Sequence, residues 1–397
     1  MVTYTEPGLA TTRQVKFDLN ERPFIVIWEM TRACDLKCKH CRAMASPQRD
    51  EMELTTKEAK SLLDDIASLG SPKPVVVLTG GDPCKREDLL ELISYSRSLG
   101  LATGVAPSGT PLLSSEMVTN IRHAGATSMS LSLDGADPDT HDSFRGEPGS
   151  FELTLDAAIT AISAGMRLQL NSSVCKTTVM ELPKLAKLAL ELGVITWSLF
   201  LLVPTGRGID LEALSADEIE DLFHFCVDIS QIIPVKVTEA PHYRRVLAMR
   251  AALSESGEDW IKRLNPGLLY YELRNQFDNL GIGPKINQTT DRATTKRPPL
   301  AINAGNGFAF VSHRGDVCPS GFLPISAGNI RFEPLSVIYK TSELFKNLRD
   351  SSTLNGKCGR CEFNGVCGGS RSRAFGVNND TNSDDPSCNY VPGTFQI

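Results

Sequence analysis

The stretch TRACDLKCKHC (residues 31–41) places three cysteines, Cys34, Cys38 and Cys41, at the spacing C-x3-C-x2-C. It follows directly on the apolar run FIVIWEM (24–30), which predicts a buried β-strand. A closed tetrahedral metal site needs four ligands, and a cubane iron–sulfur cluster has four irons that each take one. Three local cysteines therefore imply either a distant fourth ligand or one iron left open for another molecule.

The composition is that of a globular protein whose cysteines bind metal. The chain has 397 residues, of which 41% are hydrophobic and 22% charged, so we expect two domains or one large α/β unit with an extension. Its eleven cysteines cluster, and the N-terminus lacks a signal-peptide pattern, which favours metal ligation over disulfides. The net charge of −6 argues against nucleic-acid and anionic-membrane partners. No apolar run is long enough to span a membrane, so the cytoplasm is the expected location.

Short apolar runs alternate with amphipathic segments from about residue 24 to 205. For example, LTTKEAKSLLDDIASLG (54–70) predicts a helix, and PVVVLTGG (74–81) predicts a buried strand. About six such units predict a parallel sheet with helices outside, in the form of a partial barrel. Functional residues are then expected at the carboxyl ends of the strands. The predicted domains are an N-terminal extension (1–20), the barrel (21–236) and a glycine- and cysteine-rich domain (237–397).

A C-x3-C-x2-C motif after the first strand of a partial barrel resembles the radical S-adenosylmethionine (SAM) superfamily. In that family the three thiolates hold a [4Fe–4S] cluster, and SAM occupies the fourth iron. The reduced cluster cleaves SAM to a 5′-deoxyadenosyl radical, which abstracts hydrogen from a substrate. The resemblance implies an α/β enzyme with a partial (β/α)6 barrel, reduced by a flavodoxin- or ferredoxin-type protein. For the spacing alone, a structural zinc site or a ferredoxin-like cluster is the alternative.

Further motifs resemble the parts of this family that hold SAM. GGDP (80–83) resembles the family's GGEP motif, with Asp82 in place of glutamate. SLSLDG (130–135) and LNSSV, on the fifth predicted strand, add polar residues at strand ends, although each could also be a plain turn or an interior polar pair. HDSFRG (141–146) would turn a histidine and an arginine towards the substrate. The resemblance assigns SAM binding to His40, Gly80, Gly81, Asp82, Ser132, Asp134, Asn171 and Ser173.

A second cysteine group lies near the C-terminus. Cys358, Cys361 and Cys367 give C-x2-C-x5-C, and Cys388 is a natural fourth ligand. Four thiolates suit a closed [4Fe–4S] cluster, with zinc as the competing metal. The segment resembles the SPASM domain, which carries auxiliary clusters in many radical SAM enzymes. Ser370 stands where a further cysteine would be expected, so we predict one auxiliary cluster.

Three features resemble the branch of the family that contains enzymes of alternative haem and haem d1 synthesis. They are VPTGRG (203–208), TEAPHYRRV (238–246), and the pairing of HRGDVCPSGFLPISAGNIR (313–331) with CGGSRSRAF (367–375). Enzymes of that branch act on tetrapyrrole side chains and remove or cleave propionates. Arg207 could pair with a carboxylate, and His242 could bind the substrate's iron or act as acid or base, so both are candidate catalytic residues. An exposed helix start is the alternative for the second stretch.

Two other functions are considered. A peptide maturase would install a thioether or carbon–carbon crosslink in a ribosomally made precursor, and its leader would need a binding domain. Only about 20 residues precede the first predicted strand, which argues against that domain here, although a partner protein could supply it. A two-cluster electron carrier would not need the motifs around the first cysteines. The expected substrate is therefore a small molecule, with a tetrapyrrole favoured, and a precursor peptide is the alternative.

Overall fold

The structure, a computed structural model, describes residues 15, 17–283 and 300–395 of the chain. Its first seven strands are β1 (Ile25–Thr31), β2 (Val75–Gly80), β3 (Ala102–Val105), β4 (Ser128–Ser132), β5 (Arg167–Val174), β6 (Thr196–Leu201) and β7 (Val235–Thr238). Each pairs in parallel with the next, so the order in space follows the order in sequence. Since parallel neighbours require crossover connections, this order confirms the predicted partial barrel with outer helices.

Helices connect the strands and cover the outside of the sheet. They are α1 (Thr56–Ser68), α2 (Leu89–Ser98), α3 (Ser115–Ala124), α4 (Pro138–Arg145), α5 (Ser150–Ser163), α6 (Leu182–Leu192), α7 (Ala216–Ser230), α8 (Tyr243–Ser256), α9 (Trp260–Leu264) and α10 (Leu268–Asn279). Helix α1 begins with a capping box, in which Thr55 and Glu58 each accept a hydrogen bond from the other's backbone N–H. Its Leu62, Leu63 and Ile66 are buried, so the predicted apolar face packs inward.

The chain beyond residue 300 extends the same sheet on its other side. Its elements are β8 (Asn303–Ala304), β9 (Gly307–Val311), β10 (Asp316–Cys318), β11 (Gly328–Asn329), α11 (Leu335–Thr341), α12 (Glu343–Arg349), α13 (Gly356–Arg360) and α14 (Arg371–Asn378). Strand β9 pairs in parallel with β1, and β10 pairs antiparallel with β9 and β11. The predicted boundary between residues 236 and 237 falls inside β7. The domain limits stay a prediction, and most of the predicted extension lies outside the described residues.

Alternation along the strands separates the core from the barrel interior. On β5, Leu168 and Leu170 are buried in the core, whereas Gln169, Asn171 and Ser173 are partly exposed on the opposite face. Successive side chains of a strand point to opposite faces, so the second set faces the inside of the barrel. Of the helices in the described part of the chain, none combines the length and apolar character needed to cross a membrane.

Candidate active site

The inner face of the barrel encloses a cavity of about 670 Å³. Its lining runs from Ile25 and Thr127, near strand starts, to Ser132 and Ser173, near strand ends. This volume lies in the range of roughly 300–1,000 Å³ that is typical of ligand pockets. The cavity therefore brings the predicted cluster loop and the strand ends into one space.

All three cysteines of the first motif line this cavity. Cys34 and Cys38 pack with Leu36 in a small apolar cluster, against which Cys41 lies. Burial raises the pKa of the Cys34 thiol to about 11, and burial also raises the pKa of Cys38. Thiolates are the ligands that iron–sulfur clusters take, and bound metal stabilises the charge that burial disfavours. The donor set and its buried setting therefore fit a cluster.

Arg207 is hydrogen-bonded to the backbone of the cysteine loop. Its Nε donates a hydrogen bond of 2.8 Å to the Cys38 carbonyl oxygen, and an Nη donates to the Ala45 carbonyl oxygen at 3.3 Å. At Gly206, where φ is +55°, a Cβ would lie 2.5 Å from the Cys41 carbonyl oxygen, so only glycine allows this approach. Arg207 is not one of the described residues that line the cavity. Its predicted contact with a substrate carboxylate therefore gains no support from its position.

Asp134 and Arg145 form a buried ion pair beside Cys38. An Nη of Arg145 lies 2.6 Å from Asp134 Oδ2, and another donates to the Cys38 sulfur at 3.7 Å. The second oxygen of Asp134 accepts a 2.6 Å hydrogen bond from the Ser173 backbone N–H. Burial alone would raise the pKa of Asp134, but the Arg145 guanidinium and smaller contributions from other neighbours, including the Ser173 N–H, together outweigh it and the pKa is lowered. The backbone N–H of Asp134 donates to His141, and both His141 and Arg145 of the HDSFRG stretch line the cavity.

Most residues predicted to bind SAM line the cavity. Gly80 and Gly81 turn tightly against the end of β1, where a Cβ on Gly81 would lie 2.5 Å from the Ala33 carbonyl oxygen. This close approach explains the glycines without a ligand, so it is compatible with either interpretation of the motif. The predicted contacts that line the cavity are His40, Gly80, Gly81, Ser132, Asp134, Asn171 and Ser173.

Asp82 departs from this set. Its carboxylate is buried, and Oδ2 accepts a 2.7 Å hydrogen bond from the Thr110 hydroxyl while Oδ1 accepts from the Cys84 N–H at 3.1 Å. It is not one of the described cavity-lining residues. Asp82 therefore ties the glycine turn to the loop after β3, and direct contact with SAM gains no support from its position. The shorter arm of aspartate, compared with glutamate, is consistent with this placement.

His40 faces the cavity and His242 does not. The His40 ring stacks on Phe144 with centroids 4.9 Å apart, and burial lowers its pKa to about 4, so it is neutral at pH 7. His242 is fully buried, meets Phe223 edge-on at 4.6 Å, and lies 3.7 Å from an Asp385 oxygen. Its pKa is lowered to about 3 by burial. His242 is therefore neutral, and it is not one of the described residues that line the cavity. Its position gives no support to the predicted roles in iron binding or in acid–base catalysis.

The second cysteine group forms one cluster of thiols. Cys358 accepts hydrogen bonds through sulfur from Arg371 at 3.7 Å and from the Asp385 N–H at 3.5 Å, and Cys367 accepts from the Gly369 N–H at 3.3 Å. Burial, with smaller contributions from the neighbouring Cys388 and Cys358, raises the pKa of Cys367 to about 12. The neighbouring Cys388 also contributes to a raised pKa of Cys361. N–H donors on thiolate sulfur are a feature of iron–sulfur sites, so these residues also fit a cluster.

The loop beside this second group forms part of the cavity wall. Gly369, Ser370 and Arg371 line the cavity next to the cysteines they follow. Across the described ranges, no three His, Cys, Asp or Glu side chains converge on one point as the ligands of a single ion would. In a cubane each thiolate binds a different iron, so its ligands need no common point.

Several cavity residues were not singled out from the sequence. Arg42, Phe310 and Phe322 form one wall, and the half-buried Lys236 lines another. The only sequence signal for Arg42 is its place directly after Cys41. Cys318, at the end of β10, is buried, and burial raises its pKa to about 12.

Glu239 occupies the strained end of β7. Its φ is +58°, a left-handed conformation that is uncommon outside glycine and marks functional positions in many proteins. One carboxylate oxygen accepts a hydrogen bond from Ser320 and the other from Ser370, each at 2.9 Å. Glu239 therefore joins the barrel to the loop of the second cysteine group at the cavity wall.

Known proteins resemble this chain in sequence and in fold. The family model for the radical SAM superfamily matches residues 28–196. The AdoMet-dependent heme synthase of Methanosarcina barkeri is 37% identical over 94% of this chain and 99% of that protein. The PqqA peptide cyclase of Bradyrhizobium diazoefficiens is 24% identical over 93% of this chain and 87% of that protein. Among solved structures, Streptococcus suis SuiB bound to S-adenosylmethionine has a TM-score of 0.66 at 16% identity, covering 93% of this chain and 78% of SuiB.

Proposed function

Because the chain belongs to the radical SAM superfamily, we propose that this radical SAM enzyme modifies the propionate side chains of an iron porphyrin. The observation that carries the proposal is the near full-length similarity to an AdoMet-dependent heme synthase. The peptide cyclase is a more distant relative, so a precursor peptide is the less favoured substrate. Haem carries vinyl groups at positions where a precursor can carry propionates. The proposed reaction is therefore the conversion of a propionate side chain into a vinyl group.

The first cysteine group would hold the catalytic [4Fe–4S] cluster. When bound, the cluster and SAM supply the radical that takes a hydrogen atom from the substrate. Cys34, Cys38 and Cys41 would be its ligands, and Arg207 keeps their loop in place through backbone carbonyl groups. The proposed SAM contacts are the cavity-lining residues His40, Gly80, Gly81, Ser132, Asn171 and Ser173.

The proposed reaction also needs an electron acceptor. Conversion of a propionate into a vinyl group releases one hydrogen atom, carbon dioxide and one electron. One auxiliary [4Fe–4S] cluster, held by Cys358, Cys361, Cys367 and Cys388, would supply an acceptor beside the cavity. This role is supported by Ser370 and Arg371, which line the cavity, and by the hydrogen bond from Arg371 to the Cys358 sulfur.

The chemistry of the cavity lining supports a planar, anionic ligand. Phe200, Phe310 and Phe322 supply aromatic faces, and Arg42 and Lys236 supply cations. Aromatic side chains stack on flat ring systems, and guanidinium and ammonium groups pair with carboxylates. A porphyrin with propionates combines both features in one molecule.

The surface next to Cys38 supports an acidic electron donor. Lys37 and Lys39 are exposed on either side of this buried cysteine. Flavodoxins and ferredoxins are acidic proteins, and opposite charges on two surfaces favour their association. We therefore propose a donor of this type, bound over the cysteine loop.

The substrate proposal is tested by product analysis. Anaerobic, reduced protein with SAM is expected to release 5′-deoxyadenosine much faster when an iron porphyrin with four propionates is present. Mass spectrometry should show porphyrin products that have each lost carbon dioxide and two hydrogens per converted side chain. The same porphyrin with esterified propionates is the control and should remain unchanged. If 5′-deoxyadenosine were released at the same rate with and without the porphyrin, the result would contradict the proposal and favour a peptide substrate.

The single auxiliary cluster is tested by iron analysis. Reconstituted protein should bind about eight irons per chain, and Cys388→Ala should bind about four, because one four-iron cluster is lost. The variant should still cleave SAM slowly without substrate, since Cys34, Cys38 and Cys41 are intact. A content of about four or about twelve irons in the unaltered protein would overturn the prediction.

A further inference from the structure

Arg42 presents its guanidinium in the cavity wall, one residue beyond Cys41. Its side chain is 22% exposed. The guanidinium carbon lies 4.6 Å from the centre of the Phe310 ring and 5.9 Å from that of Phe322. Cation–π contacts of this kind hold the guanidinium of an arginine against the faces of aromatic rings. The charged group is therefore part of the aromatic wall that supports a planar ligand.

A buried carboxylate fixes one end of the guanidinium. Glu29 on β1 lies 2.9 Å from an Nη of Arg42, and its other oxygen lies 3.1 Å from His313 Nδ1. The second ring nitrogen of His313 lies 3.2 Å from Asp50, which also pairs with Arg314 at 2.6 Å. Burial alone would raise the pKa of Glu29, but Arg42 and His313 outweigh it and the pKa is lowered. Glu29 is therefore a fixed anion that orients Arg42.

The guanidinium has further donors beyond this ion pair. It carries five N–H groups, and Glu29 is paired through a single nitrogen, Nη2. Within the described part of the chain, Arg42 makes no second ion pair. Glycine at position 321 keeps space beside it, because a Cβ there would lie 2.9 Å from Nε and Cζ of Arg42. A pre-oriented cation with open donors in a ligand cavity is a carboxylate-binding group.

We propose that Arg42 binds a propionate carboxylate of the substrate and so selects porphyrins that carry free propionates. This inference rests on the proposed function and names the residue that recognises the substrate beside the cysteine loop. SAM also has a carboxylate, but apart from His40 and the turn residue Gly81 its proposed contacts lie on β2, β4 and β5. Arg42 packs instead on Phe310 of β9, on the other side of β1. The substrate is therefore the source of the carboxylate.

Binding titrations on the reconstituted protein test this role without relying on activity. Arg42→Gln should weaken binding of the four-propionate iron porphyrin, followed by absorbance, about tenfold or more, because a charge-assisted hydrogen bond is lost. Binding of the fully esterified porphyrin and of SAM should not change. Arg42→Lys, which keeps the charge but loses the planar fork, should give an intermediate loss. The matched control is Arg49→Gln, an arginine of the same loop that pairs with Glu53.

Each outcome separates this inference from the proposed function. Equal porphyrin binding by the unaltered protein and Arg42→Gln would overturn the role of Arg42 and leave the substrate proposal standing. Weaker SAM binding with unchanged porphyrin binding would assign Arg42 to SAM and also overturn the inference. Failure of the unaltered protein to bind the porphyrin would overturn the proposed substrate and this role with it. If Arg42→Gln loses iron, Arg42→Lys is the second variant, and binding of the four-propionate porphyrin by Arg42→Lys as tight as by the unaltered protein would refute the inference.

Discussion

Replacing Cys38 by alanine is expected to lower 5′-deoxyadenosine formation by at least about a thousandfold, to the level of protein without a cluster. Cys38 is one of three thiols in the cavity wall, and two ligands cannot hold a four-iron cluster in the predicted geometry. The measurement is 5′-deoxyadenosine by chromatography, after anaerobic reconstitution and reduction. Bound iron should fall from about eight to about four per chain, because the auxiliary group keeps all four of its cysteines.

Cys226→Ala is the matched control for this substitution. Cys226 is buried in α7 and packs in the main apolar core, apart from both cysteine groups. Its removal should leave iron content and SAM cleavage unchanged. Substantial SAM cleavage by Cys38→Ala would contradict the assignment of the first cysteine motif to the catalytic cluster.

Replacing Asp134 by alanine is expected to lower the free energy of unfolding by about 3–5 kcal/mol. Arg145 is mostly buried, and without Asp134 its charge loses the partner that lies 2.6 Å away. The Ser173 backbone N–H loses its acceptor as well. Denaturant unfolding, read as a shift in midpoint at constant slope, measures the loss. Bound iron should also fall, because Arg145 donates to the Cys38 sulfur and shapes that loop.

Asp139→Ala is the control for Asp134→Ala, since Asp139 is exposed on α4 and should change stability by no more than about 0.5 kcal/mol.

The ion pair between Asp134 and Arg145 also predicts how stability depends on pH. The pKa of Asp134 is lower in the folded state than its ordinary value, so folding disfavours its protonation. Its contribution is present at neutral pH and is lost as the pH falls through the folded-state pKa. Similar acid sensitivity in the unaltered protein and Asp134→Ala would contradict this.

Local sequence patterns were enough to predict the barrel and the position of the first cysteines. The apolar strands and amphipathic helices have periods that are visible within single segments, and the structure has β1, α1 and β2 where those periods place them. The cysteine loop follows β1 at the carboxyl edge because parallel strands all end on one side. Asn171 and Ser173, assigned to SAM binding from the sequence, stand two residues apart on β5 and therefore share a face, and both line the cavity.

The roles of individual polar residues were harder to predict. Arg207 and His242 have suitable chemistry for binding carboxylate or iron, but the structure places Arg207 behind the cysteine loop and His242 against Phe223. Asp82 stands at a SAM-binding motif position and bonds instead to Thr110. No sequence pattern marks Arg42, because a single arginine in a loop has neither a period nor a motif spacing. Residue type shows what a side chain can bind, but its neighbours in space decide what it does bind.

The sequence by itself determined the strand–helix order, the family and the two groups of cysteines, because each of these depends on residues close together in the chain. Only the tertiary structure decided that β9 pairs with β1, and that Glu29 orients Arg42 with the help of His313. These contacts join segments almost 300 residues apart, such as Glu29 and His313. Pairings of this kind arise from the packing of the whole chain, and no local pattern of residues encodes them.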